Sequence, residues 1–366
     1  MFYRLSFPFL LGAVLLARPA IGQEPKASRE RQLKQLLQRF PDADANRDGT
    51  LTEEEARAYR AKVRGKDAAQ PDRKQPAAPI EPTFADVHYG PHERQVLDFY
   101  QAKSGRPTPV IIFIHGGGFV AGDKRGASPA MIRGALEAGI SFASINYRFV
   151  DGDKTIFPVP QQDGARAVQF IRSQAAPWNV DPARIACYGG SAGAGISMWI
   201  GFHDDLAQPD SSDPVARQST RIRVIGTMGG QGTYDPIKIK QLVGGRAHEH
   251  PSLLKVYGLT SMDEALNPTP AVQKLYDEAA AITHLTKDDP PLYMMYNEPD
   301  IVPPPDARPG QFIHHPNFGK ELKAAMDGLG IENVFVNGGG NPPTQEPPGG
   351  MLAFLKKHLV DPEESQ

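Results

Sequence analysis

RIACYGGSAGAGISMWIGF, residues 184–202, decides how the rest of the chain is read. Residues 184–188 form an apolar strand pattern, and an apolar helix pattern runs over Ser191–Phe202. At their junction stands Gly189-Gly190-Ser191-Ala192-Gly193. A serine on so sharp a strand-to-helix turn is strained, and only small neighbours leave room for it. Its Oγ then projects from the carboxyl edge of the sheet, beside a helix N-terminus that favours negative charge. A bare G-x-S-x-G is common; the apolar flanks give this one its weight.

Upstream, PVIIFI (109–114) is a nearly continuous apolar run, the pattern of a strand buried on both faces. It leads directly into His115-Gly116-Gly117-Gly118. Glycines let main-chain amides approach a developing oxyanion, so Gly116, Gly117 and Ala192 are expected to form the hole. Further strands are expected at 84–89, 95–100, 140–147, 223–227, 292–296 and 332–336. Helices are expected at 128–138, 161–174, 319–328 and 350–359. Strands alternating with helices imply an α/β, doubly wound, mostly parallel sheet. Residues 238–286 break the alternation and read as a mostly helical insertion over one end of the sheet.

On HGGGF and GGSAG, the region from about Phe84 to Leu359 resembles the α/β-hydrolase family of esterases and lipases. The likeness is strongest to its hormone-sensitive-lipase-like and feruloyl- or acetyl-esterase-like branches. Gly122-Asp123-Lys124, Asn146-Tyr147-Arg148, Pro160, Asp163 and Val180-Asp181-Pro182-Ala183-Arg184-Ile185 also match. The resemblance implies a Ser–His–Asp hydrolase of carboxylic esters with Ser191 as nucleophile, a small acyl-ester substrate and no catalytic cofactor.

The resemblance puts the acid after the strand 292–296, where Asn297-Glu298-Pro299-Asp300 stands. Asp300 is the better match and Glu298 the alternative. It puts the histidine after the strand 332–336, yet residues 337–345 (NGGGNPPTQ) contain none. A serine without a base is a poor nucleophile at neutral pH. His314 and His315, in a Pro/Gly-rich stretch ahead of the helix 319–328, are the candidates to replace it. His248-Glu249-His250 in the insertion is placed to cover the site or to bind a metal, but its i, i+2 spacing is a poor helical metal pair and surface polarity is the favoured reading. His88, His92, His203 and His284 read as structural or exposed. Two readings therefore compete: a serine ester hydrolase with a relocated base, and a catalytically impaired relative that binds a ligand or a partner.

The first part of the chain differs in composition. Residues 1–4 carry one positive charge, an apolar run follows over 5–17, and Ala20-Ile21-Gly22 closes the pattern of a secretory signal peptide. That pattern predicts a secreted or periplasmic protein with no membrane attachment after cleavage. Residues 23–65 are highly charged and read as an EF-hand helix-loop-helix. Asp44, Asn46 and Asp48 supply side-chain oxygens and Thr50 a carbonyl. Gly49 makes the sharp turn, and Glu55 is placed to bind Ca²⁺ bidentately. A lone loop of this kind is expected to bind weakly, at about 10⁻⁴–10⁻³ M, or to pair with another chain. Residues 66–82, polar and Pro-rich, read as a linker to the hydrolase domain at 83–361.

Composition narrows the rest. With 40 basic and 42 acidic residues, nothing recommends nucleic acid as a partner. One cysteine, Cys187, excludes an internal disulfide framework and a Cys-based zinc cluster.

Overall fold

The structure, a computed structural model, describes residues 37, 43–46, 48–56, 58–59 and 80–360. These divide into two units, Met1–Ala78 and Pro79–Gln366. The expected leader at 1–22, all of the first expected EF-hand helix but Leu37, and most of the linker lie outside the described residues. In the first unit, Ala43, Leu51 and Ala56 are buried against one another, with Leu37 and Tyr59 packed on them.

The second unit is built on one sheet. Its strands are β1 (Phe84–His88), β2 (Val96–Tyr100), β3 (Thr108–Ile114), β4 (Ser141–Ile145), β5 (Val180–Gly190), β6 (Val224–Met228), β7 (Leu292–Tyr296) and β8 (Asn333–Asn337). They lie in the order β1-β2-β4-β3-β5-β6-β7-β8. β1 and β2 are antiparallel to their neighbours, and all other pairings are parallel. Two-residue alternation splits the apolar run of β3 between two cores. Val110, Ile112 and Ile114 join one cluster, and Ile111 and Phe113 the other.

The first core is covered by α2 (Val159–Ser173), α3 (Ala192–Phe202) and α8 (Asn317–Leu329). The second is covered by α1 (Pro129–Glu137) and α9 (Gly350–Leu359). α3 is buried along its whole length, which explains why its sequence is apolar all round rather than striped. Between β6 and β7 lies the expected insertion: α4 (Pro236–Leu242), α5 (Pro251–Tyr257), α6 (Met262–Leu266) and α7 (Pro270–Ala279), with 3₁₀ turns at Ala247–Glu249 and Ala281–His284. Proline at the start of α4, α5 and α7 and side-chain caps from Asp235, Ser261 and Thr269 explain why so many short helices form there. Among the described residues no helix is long and apolar enough to cross a membrane.

The parallel strands all end at one edge, and the chemistry-bearing loops follow β3, β5, β6 and β7. In open α/β sheets the crevice beyond the strands' carboxyl ends is where ligands bind.

Candidate active site

Ser191 occupies the turn between β5 and α3 with φ 52° and ψ −121°. This backbone region costs a non-glycine residue about 1–3 kcal/mol. Its amide donates to the Met228 carbonyl at 2.9 Å and its carbonyl accepts from Gly195 at 3.0 Å, which hold the turn in place. A Cβ on Gly193 would lie 2.0 Å from the Ile114 carbonyl oxygen, so only glycine lets the helix start this close to β3.

The loop after β3 is bent by Gly117 at φ 115°, and the Val120 and Ala121 amides close onto the Gly117 carbonyl at 3.1 Å. Gly117, Gly118 and Ala192 line a cleft of about 420 Å³ that also reaches Ser191. Gly116 is not among its lining residues. Its carbonyl accepts from His115 Nδ1 at 2.8 Å, and its Cα faces the Gly190 carbonyl and Ser191 Cβ. The amide of Ala192, in the first turn of α3, has no intrahelical partner.

His115 supports this loop from below. Its ring stacks on Tyr147 at 4.3 Å, and the Tyr147 hydroxyl donates to the His115 carbonyl at 3.0 Å. Burial pushes the imidazole down to about 4. The ring is therefore neutral, donating from Nδ1 to Gly116 and accepting at Nε2 from Arg94 at 3.3 Å. Behind it, Arg148 makes a bidentate pair with the buried Asp163. These bonds explain why Tyr147, Arg148 and Asp163 accompany the glycine loop.

His314 Nε2 stands 2.8 Å from Ser191 Oγ. Its Nδ1 faces Glu298 Oε1 at 3.4 Å, and its amide donates to Glu298 Oε2 at 3.1 Å. One carboxylate thus orients both the ring and the main chain of the histidine. Gln231 Nε2 donates to the neighbouring Ile313 carbonyl at 2.7 Å, and the Gly310 amide donates to the Arg246 carbonyl at 3.0 Å. Both bonds tie down the long loop that carries His314.

Two sequence expectations are corrected here. Asp300 does not meet the histidine at Ser191: its carboxylate accepts from Lys320 at 2.7 Å and from Asn337 at 3.0 Å. The Lys320 ammonium, with the Asn337 amide, holds it below the usual carboxylate range. Glu298, two residues earlier, makes the contact. His315 also points away from the serine. It is buried, with Nε2 3.0 Å from the Ile301 carbonyl and Nδ1 accepting from the Asn317 amide at 3.1 Å. His314 lines the cleft and His315 does not.

The insertion also reaches the site. The sequence favours surface polarity for His250, with cover of the site as the alternative, and His250 lines the cleft with Ser252, Leu253 and Val256 of α5. Burial, and then the neighbouring His314, keep its imidazole below its ordinary value. The His248-Glu249-His250 run marks His250 in the sequence, whereas no motif marks Ser252, Leu253 or Val256.

In the first unit, the loop keeps the turn that the sequence predicts. Gly49 has φ 82° and its amide donates to Asp44 Oδ2 at 2.9 Å. The Asp48 amide donates to Asn46 Oδ1 at 2.9 Å, the Thr50 amide to Asp48 Oδ1 at 2.8 Å, and the Thr52 amide to Glu55 Oε2 at 3.0 Å. The donor set is all oxygen, as a hard cation requires.

The BD-FAE family model matches residues 97–308, which is more than half of the chain. The probable carboxylic ester hydrolase LipM of Mycobacterium tuberculosis is 27% identical over 231 residues, covering 61% of this chain and 49% of LipM. The esterase LipQ of the same organism is 25% identical over 227 residues, covering 60% of this chain and 49% of LipQ. The chain thus spans about half the length of these curated relatives. Among solved structures, a truncated form of a carbohydrate esterase from gut microbiota matches with a TM-score of 0.59 and 23% identity. That match covers 79% of this chain and 100% of the other, and it bears on the fold alone. With the sheet, the elbow and the glycine loop in the expected order, the chain belongs to the BD-FAE family.

Proposed function

We propose that the chain is a serine carboxylic-ester hydrolase whose base comes from the loop after β7. The observation that carries this reading is the His314 Nε2 to Ser191 Oγ contact of 2.8 Å on a strained elbow. In the acylation step, His314 Nε2 takes the Oγ proton as Oγ attacks the ester carbonyl. Glu298 holds the ring and stabilises the imidazolium. The Ala192 amide, with those of Gly117 and Gly118, would receive the oxyanion. The imidazolium returns its proton to the leaving alcohol, and water repeats the sequence to free the acid. A cleft of about 420 Å³ suits a short acyl group. The likeness of HGGGF and GGSAG to feruloyl- or acetyl-esterase-like sequences suggests an acylated sugar as the alcohol side. The binding-only alternative rested on the want of a histidine after β8, and His314 supports turnover instead.

We also infer Ca²⁺ for the loop 44–55. Asp44, Asn46, Asp48, the Thr50 carbonyl and Glu55 would hold it, and the ion would order the loop, alone or paired with another chain's. The leader pattern at 1–22 supports export. A chromogenic short-chain ester assay with Ser191→Ala tests the hydrolase reading. Turnover should vanish in the variant, and an unchanged rate would sink it.

A further inference from the structure

We propose that His203, Glu278 and His284 form a divalent transition-metal site, zinc by its donor chemistry, that fastens the insertion to the end of the nucleophile helix. The three residues come from separate places: His203 caps the C-terminus of α3, Glu278 lies on α7, and His284 closes the 3₁₀ turn Ala281–His284. Each offers one donor atom, and all three atoms lie within 4.8 Å of one another. The site is independent of the esterase reading and of the calcium loop.

Hydrogen-bond accounting selects the donor atoms. His203 Nδ1 faces the Asp204 carbonyl at 3.0 Å, and its Nε2 faces Glu278 Oε1 at 3.2 Å. A neutral imidazole has one N–H. With Nδ1–H spent on Asp204, the Nε2 lone pair meets a carboxylate oxygen, and only a cation between them reconciles the two. That cation is a second proton or a metal ion. The 3.2 Å separation matches the roughly 3.3 Å expected between two ligands on a tetrahedral zinc with bonds of about 2.0–2.2 Å.

His284 repeats the arrangement. Its Nε2 lies 3.0 Å from the Glu278 carbonyl, which leaves Nδ1 as the donor atom. Metal-ligating histidines characteristically donate their other N–H to a backbone carbonyl, and both rings here do so. The two rings are 4.6 Å apart, and Trp199 Nε1 donates to the same Glu278 carbonyl at 2.9 Å. Glu278 is partly exposed, so water can complete the coordination. Two imidazoles and one carboxylate suit zinc and its neighbours rather than calcium, which prefers oxygen alone. The clamp joins the far end of α3, whose first turn follows Ser191, to the insertion whose α5 walls the cleft.

The test uses the full chain without a histidine tag, freed of metal and then saturated with calcium. Co²⁺ is titrated as a spectroscopic probe and displaced with Zn²⁺, and melting is followed alongside. The proposal expects one saturable Co²⁺ site with tetrahedral d–d absorption, displaced by Zn²⁺, and a melting temperature that rises with free zinc. Glu278→Gln and His284→Gln should each weaken binding at least about tenfold. Glu55→Gln and His314→Gln should leave it unchanged. No saturable cobalt spectrum, or equal binding by Glu278→Gln and His284→Gln, would overturn the site and leave His203 and Glu278 an ordinary ion pair. Glu278→Gln keeps the size and hydrogen-bonding capacity of a part-exposed residue, so it decides the matter even if a histidine variant does not fold.

Discussion

His314 reaches Ser191 across 123 positions of sequence, Nε2 to Oγ at 2.8 Å, from the loop between β7 and α8 rather than from beyond β8. Glu298, which orients it, lies only 16 residues away on the same loop. The proposed acid and base are therefore positioned by one segment, and what steadies that segment governs the geometry of both.

Gln231 is the first such support. Its side chain is buried, donates to the Ile313 carbonyl and accepts from the Tyr234 hydroxyl at 3.3 Å. Gln231→Leu leaves both partners unpaired, at a cost of about 1–3 kcal/mol. It should also lower kcat about tenfold or more by displacing His314. Melting and steady-state kinetics on one preparation check both effects.

Glu298 and Asp300 should separate cleanly. Glu298→Gln is expected to lower kcat on the order of 10²-fold, less than for a buried triad acid because its contact is longer and partly exposed. Asp300→Asn should keep kcat within roughly threefold and lose no more than about 1 kcal/mol of stability, as for a half-exposed pair. Equal kinetic losses in the two variants would contradict the assignment.

His115 makes stability depend on pH. The folded ring is held down to about 4, while an unfolded histidine titrates near 6.5. Between these values the unfolded chain binds the extra proton, so this contribution is complete above about 6.5 and is lost as pH falls toward 4. His115→Gln should flatten the melting temperature between pH 6.5 and 4 relative to wild type. Parallel curves would remove His115 as the cause.

The calcium binding proposed for the loop 44–55 gives a separate readout. Glu55→Gln removes one bidentate oxygen and should weaken Ca²⁺ binding by at least about tenfold. Calorimetric titration of both chains checks this, and identical isotherms would exclude the loop as the site.

The elbow and glycine loop were legible because each is local: a few residues at fixed spacing, flanked by apolar runs that become β3, β5 and α3. The proposed acid and base were not, for a different reason in each case. Asp300 and Glu298 sit two residues apart on one turn, and what divides them is Lys320, a tertiary partner from α8. His314 and His315 are adjacent, and the choice between them follows from the turn at Phe312, with φ 68°, and from the Gln231 tether. His250 and the His203–Glu278–His284 cluster depend on how the insertion folds back, which no periodicity in residues 238–286 encodes.

The most direct test of the account is kcat/KM on a short-chain chromogenic ester for His314→Gln beside His315→Gln. If His314 is the base, its variant falls by at least about 10³-fold, while His315→Gln stays within roughly tenfold. A wild-type rate from His314→Gln, or the larger loss in His315→Gln, would contradict it.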